Sequence, residues 1–219
     1  MAGRMREKPV WALWAEFVVL FVAVPVAIAV VLPATAMFPA LFAMTAVGLV
    51  LLHLTEGFSW RDLGAERGAL EPWLIAKFAV AVFVLSLAVL WATAPDAMFV
   101  LLREQPVLML AIAVLYPLVS ALPQEIVFRP LFFRRYVGIL PRGRRIMLAN
   151  AAIFSLAHLM YWSWIVAAMT FAGGLVFAWA YEEKRSFPLA FALHSVAGVA
   201  LFTAGMGVYF YSGNVVRPF

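Results

Sequence analysis

Seven apolar runs follow one another along this chain, several of them close to the ~20 residues that an α-helix needs to cross ~30 Å of hydrocarbon. With loose ends they cover residues 11–32, 38–54, 73–94, 107–128, 146–159, 164–181 and 189–204. The runs are continuously apolar rather than alternating. The expected fold is therefore all-α, a polytopic transmembrane helical bundle, and not a β-barrel. The tail after Gly205 carries Tyr209, Phe210 and Tyr211 and is expected to form a short eighth helix or an interfacial segment, so the bundle has seven or eight spans. Only 12% of residues are charged against 66% hydrophobic, too few charges to cover a soluble surface. No linker, low-complexity tract or repeat divides the chain. Residues 1–219 read as a single membrane domain, with N-terminal helices in 1–105 and a catalytic helical core in 106–204.

The charges that remain lie between the apolar runs, where they orient a membrane protein. A cytoplasmic N-terminus places Arg4, Arg6, Lys8, Arg61, Arg67, Lys77, Arg129, Arg134, Arg135, Arg142, Arg144, Arg145, Lys184 and Arg185 on the inner side, and leaves only Arg103 and Arg217 outside. Tyr161, Trp162 and Trp164 then fall at the outer interface, where an aromatic belt is expected. The net charge of +5 thus serves topology and is no footprint for nucleic acid. The run at 11–32 is too long for a signal-peptide core and lacks a small-residue cleavage site, so no cleavable leader is expected. The chain has no cysteine, which excludes disulfides, thiolate metal sites and a cysteine nucleophile. A compact, loop-poor membrane protein of this kind suits a bacterial inner membrane. Its expected partners are lipid and a peptide or protein substrate in the membrane, and nothing in the sequence indicates an oligomeric state.

The fourth run is unusual. Within Tyr116–Pro130 stand three prolines (Pro117, Pro123, Pro130) together with Ser120, Gln124, Glu125 and Arg129. Each proline removes a backbone donor and frees a carbonyl four residues back, so a helix distorted around a cavity is expected. Ionisable groups inside a bilayer are costly and usually functional. Glu125 and Arg129 are spaced i, i+4, share a helix face and can pair. Phe154 and His158 have the same spacing in the fifth run, and His194 lies in the seventh. At 1.5 Å per residue, and with the fourth helix running on to about Tyr136, Glu125 stands roughly 16 Å, His158 about 18 Å and His194 about 10 Å from their cytoplasmic helix ends. All three can occupy one layer. There a carboxylate or imidazole can take a proton from water while an imidazole N–H stabilises an oxyanion. His53, at the end of the second run, reads as interfacial and structural. Glu16 and Lys77 read as side chains that snorkel from helix ends, and residues 182–185 as a solvated turn.

The order Glu125-x-x-x-Arg129, Phe154-x-x-x-His158 and His194-x-x-x-Gly198 on successive late helices resembles the CAAX prenyl endopeptidase type II and bacteriocin-processing (CPBP) family of intramembrane proteases. The segment Phe58-Ser59-Trp60-Arg61-Asp62-Leu63-Gly64 resembles a short cytoplasmic loop that such proteins often carry. The resemblance implies an intramembrane endopeptidase in which a first glutamate and the second-motif histidine activate water. That first glutamate falls on Gln124, the second on Glu125 and the motif arginine on Arg129. His158 is the implied base partner. His194 is the implied oxyanion donor, aided in the family by an asparagine whose position here is Gly198.

Two departures stand out. Gln124 has nearly the shape of glutamate but no proton-accepting carboxylate. Three explanations stand side by side: an engineered isosteric replacement, a natural pseudoprotease, or a branch in which Glu125 itself is the base. At Gly198 the missing donor is expected from Ser195, a backbone N–H or water. A metal-free glutamate/histidine mechanism is preferred. Zn²⁺ held by Glu125, His158 and His194 is the alternative, weakened by the lack of a His-Glu-x-x-His helix. The candidate substrate is a prenylated C-terminus, a membrane-anchored sorting signal or a small secreted peptide. Two other functions fit less well: a non-catalytic immunity or scaffold protein that holds a peptide, and a small proton-coupled transporter.

Overall fold

The computed structural model describes residues 9–65, 70–215 and 217. Arg4, Arg6, Lys8 and Arg67, which enter the charge argument above, lie outside them. Every element among the described residues is helical. Five helices are long and apolar enough to cross a membrane: Val10–Val31 (α1), Pro72–Thr93 (α4), Pro106–Arg135 (α6), Trp164–Glu182 (α8) and Phe187–Ala204 (α9). Two shorter helices, Met37–His53 (α2) and Arg144–Leu156 (α7), complete the expected seven. Trp60–Ala65 (α3), which overlaps the loop singled out at 58–64, and Val100–Glu104 (α5) are short connectors. The aromatic tail forms one further turn, Gly207–Phe210 (α10), entered through Gly205 in a left-handed conformation (φ 115°).

Contacts between loops sort the helix ends into two sets. At one end Lys184 pairs with Glu71 (2.8 Å) and Arg144 with Glu183 (3.7 Å). At the other, the backbone N–H of Phe99 donates to Ala204 O (2.9 Å), Trp162 Nε1 to Ala29 O (3.2 Å) and Arg217 Nη1 to Val30 O (2.9 Å). Successive helices therefore run antiparallel, as alternate crossing requires. Trp11 and Trp73 stand exposed at the first set of ends, Trp91 and Trp164 at the second. Such paired belts suit the two membrane–water interfaces. α4 buries few of its residues and presents mostly apolar side chains outward, as a lipid-facing helix does.

α6 departs furthest from a regular helix. Its two π-helical stretches, Pro117–Ala121 and Val127–Arg135, contain Pro117 and Pro130, and Pro123 stands in the regular stretch between them. A proline cannot donate to the carbonyl four residues back and its ring crowds it, and the wider π turn relieves both problems. The helix also runs past the apolar run that ends at residue 128 and carries its basic residues with it. Phe128 and Phe132 pack against Phe21, and Tyr136 against Phe17, so α1 and α6 share an aromatic seam. α7 and α8 approach closely because Gly174 has no side chain. A Cβ there would lie 3.1 Å from the Ala151 backbone and 3.2 Å from the Phe154 ring.

Glu16 does not snorkel as expected. The extension of α6 delivers Arg135 beside it, and Arg135 Nε and Nη2 (3.0 Å) both donate to its carboxylate. Tyr136 Oη donates to the same carboxylate (2.8 Å), and Arg135 Nη1 reaches Leu51 O (3.0 Å) at the end of α2. Lys77 Nζ sits over the Trp73 ring (5.1 Å), and His53 accepts from Trp60 Nε1 (3.4 Å). The Arg135 side chain is only 5% exposed, so removing Glu16 strands a buried cation. Glu16→Ala is expected to lower stability by about 3 kcal/mol. Replacing Glu16 and Arg135 together by Met and Leu should recover most of that loss. Reversible unfolding in mixed detergent measures both.

Candidate active site

The three motifs converge on one point. Glu125 is completely buried, one turn into the regular stretch between the two π segments of α6. Arg129 Nε donates to its Oε2 (2.9 Å) and Arg129 Nη2 reaches Oε1 (3.4 Å), the i, i+4 pair expected from the spacing. On the other side His194 Nδ1 lies 2.9 Å from Oε1. A carboxylate only accepts, so Nδ1 carries the proton of this bond, and in the neutral ring Nε2 is then the acceptor. Two helices distant in sequence are thereby joined through one carboxylate.

Arg129 is held from further sides. Its Nη1 donates to Asn150 Oδ1, and Asn150 Nδ2 donates to Phe128 O (2.7 Å), closing a ring of polar contacts between α6 and α7. The guanidinium also stands over the rings of Phe154 (5.3 Å) and Phe177 (5.8 Å). Phe177 stacks on His194 (4.8 Å between centroids, 13° between planes). Phe154 touches His194 at 5.6 Å and His158 at 4.7 Å, so one ring spaces the two imidazoles.

His158 is displaced from its expected place inside the fifth helix. α7 ends at Leu156, and His158 occupies the turn that follows. The end of a helix leaves carbonyls without intrahelical partners. One of them, Phe154 O, lies 2.7 Å from His158 Nδ1. A carbonyl only accepts, so here too Nδ1 donates and Nε2 is left as the acceptor.

A cavity of about 550 Å³ adjoins this network, and Gln124, His158, His194, Tyr116 and Ser120 line its polar part. Phe78, Leu85, Leu115, Val176, Leu201 and Phe202 are among the apolar side chains of the rest. Gln124 Nε2 donates to Ser120 Oγ (3.0 Å), whereas its buried Oε1 has no hydrogen-bond partner in the protein. Glu125 and Arg129 stand behind the cavity wall rather than on it. Of the residues singled out from the sequence, Gln124, Phe154, His158 and His194 reach the cavity, and Glu125 and Arg129 support them from behind.

Glu125, His158 and His194 each spend hydrogen bonds on the protein. Both carboxylate oxygens are engaged by Arg129 and His194, and the His158 ring is turned by Phe154 O. Among the described residues, no three His, Asp or Glu side chains gather into a group that could hold a metal ion.

Sequence reasoning passed over Asn150, Phe177 and the hydroxyl of Tyr116. An uncompensated amide in an otherwise apolar run was the available signal for Asn150. Tyr116, Ser120 and Gln124 recur every four residues on α6 and so share a face. Ser195, considered as a donor, is spent on its own helix: Oγ donates to Phe191 O (2.7 Å).

No curated protein and no solved structure matches the chain. One family model does, described as Rce1-like, type II CAAX prenyl endopeptidase Rce1-like, over residues 106–200. That segment holds the polar side chains of the site just described, from Tyr116 to His194. Over residues 106–200 this integral membrane protein is therefore similar to the Rce1-like type II CAAX prenyl endopeptidase family.

Proposed function

We propose that the chain is built as an intramembrane endopeptidase that hydrolyses a peptide bond of a membrane-embedded or lipidated substrate, and that Gln124 holds its turnover down. The observation that carries this reading is the meeting of Gln124, His158 and His194 on the polar side of one largely apolar cavity. An apolar cavity with a few convergent polar groups is what an acyl or prenyl chain joined to a peptide demands. His158 Nε2 and the side chain at 124 are the groups placed to take a proton from water. Glu125 is a poor base, since both its oxygens are engaged and it does not reach the cavity. Its work is to hold His194 and Arg129.

Gln124 also supports a second reading, a pseudoprotease that binds a membrane peptide without cutting it. The two part at a single atom. Gln124→Glu places an ionisable oxygen where an amide now stands and leaves the volume nearly unchanged. Cleavage of a library of membrane-anchored and prenylated peptides in liposomes is expected to rise by about 10²–10⁴-fold in this variant. His158→Ala added to it should return the rate to the level of the original chain. Cleavage that stays at background in Gln124→Glu, on every substrate class, favours the binding protein.

We place the N-terminus and the basic helix ends in the cytoplasm, on the distribution of Lys and Arg, in a bacterial inner membrane. The cysteine-free chain makes this simple to test. A single cysteine at Arg142 should react with a membrane-impermeant maleimide only after the cells are opened. One at Asn214 should react in intact spheroplasts. The reverse pattern inverts the topology.

A further inference from the structure

The site has an oxyanion problem that its histidine does not solve alone. Neutral His194 has one N–H, and Glu125 takes it at Nδ1 (2.9 Å). Ser195 spends its hydroxyl on Phe191 O, and position 198 carries no side chain. A donor on the cavity wall beside the ring is the Tyr116 hydroxyl, 3.1 Å from His194 Nε2.

Tyr116 can stand there only because residue 198 is glycine. A Cβ at 198 would fall within the Tyr116 ring, with the hydroxyl 2.6 Å away. The ring is further braced edge-on by Phe202 (6.0 Å) and by the His194 imidazole (6.1 Å). The π turn at Pro117–Ala121 begins directly after Tyr116 and sets the face that Tyr116 shares with Ser120 and Gln124. Tyrosine at 116 and glycine at 198 are therefore one fitted pair, from α6 and α9.

We propose that Tyr116 is a catalytic residue of this site: its hydroxyl is the donor to the oxyanion, and the Tyr116/Gly198 pair supplies what a polar side chain at 198 would otherwise supply. The proposal rests on the endopeptidase reading above. In the step it serves, the water oxygen bonds to the scissile carbonyl carbon and one water proton passes to the base, His158 Nε2 or a carboxylate at 124. The carbonyl π pair moves onto oxygen, where it accepts the Tyr116 O–H. On collapse that pair re-forms the C=O bond, the C–N bond breaks, and the leaving nitrogen takes the proton from the base. In the resting site the Tyr116 O–H is directed at His194 Nε2 (3.1 Å); as the oxyanion forms the hydroxyl turns from that lone pair to the new acceptor, and it keeps its proton.

The test uses the full chain carrying Gln124→Glu and the library peptide that it cleaves fastest. Tyr116→Phe deletes one oxygen and keeps the ring over Gly198. It is expected to lower kcat about 100-fold, the effect of removing one oxyanion donor, with KM changed less than twofold. Tyr116→Ala should lose at least as much, and Tyr116→Ala with Gly198→Asn, which clears the ring and places an amide, should regain at least tenfold over Tyr116→Ala. Gly198→Asn beside an intact Tyr116 should be inactive. A Tyr116→Phe protein that keeps its melting temperature and its kcat overturns the role of Tyr116 while leaving the endopeptidase reading intact. So does a drop confined to KM. Absence of any cleavage by Gln124→Glu itself removes the endopeptidase reading, and this role with it.

Discussion

The carboxylate of Glu125 lies wholly enclosed in a bundle whose outer surface is hydrocarbon, and the rest of the site is arranged to make that tolerable. An isolated charge at this depth would neutralise or pull the helix apart. Here Arg129 engages the carboxylate from its own helix and His194 from α9. Arg129 in turn is a buried cation with donors to spare, and Asn150 of α7 with the two rings of Phe154 and Phe177 accounts for them. Each polar group recruits the next until three helices are locked together. Hydrophobic burial cannot do this in lipid, where tails are as apolar as leucine, so polar contacts and close packing decide which helices meet.

The prolines of α6 make that arrangement geometrically possible. A regular helix repeats every 3.6 residues and presents a narrow stripe. α6 must face several neighbours at once: the cavity through Tyr116, Ser120 and Gln124, α9 and α7 through Glu125 and Arg129, and α1 through Phe132 and Arg135. Two π stretches change the residues per turn and so rotate successive segments onto different partners. The second of them, with Pro130 inside, carries Arg135 to Glu16. The active layer and the brace at the basic end are thus consequences of the same irregular helix.

Much of this was legible in the sequence because the bilayer simplifies the problem. Apolar run length gives the spans, and spacing of four residues gave both the Glu125–Arg129 pair and the Phe154–His158 contact. Contacts within one helix follow from its period. Contacts between helices do not, since periodicity tells which residues share a face but not which face it meets. That is why nothing in the sequence joins Asn150 or Phe177 to the site, and why Glu16 reads as a snorkelling side chain rather than the partner of Arg135, 119 residues away. The place of His158 was misjudged by a smaller effect. The polar ring finds a carbonyl freed by the end of α7, and the helix stops before it rather than after.

The geometry also separates two jobs that neighbouring residues in a sequence motif invite one to merge. Gln124 and Glu125 are adjacent, so they point about 100° apart on the helix, one into the cavity and the other into the wall. Only the first faces the cavity. The second decides what His194 can do, because a carboxylate at Nδ1 commits the single proton of the neutral ring and turns Nε2 into an acceptor. That lone pair faces the Tyr116 hydroxyl, whose place depends on a glycine on another helix. The order of donors and acceptors therefore runs from Tyr116 through His194 to Glu125, and it is set from the buried carboxylate outward. Glutamine at 124 leaves this order untouched: its Nε2 donates to Ser120, its Oε1 has no partner in the protein, and none of the three linked groups hydrogen-bonds to it. A chain that lacks the carboxylate at 124 can for this reason keep the whole of the surrounding site in place.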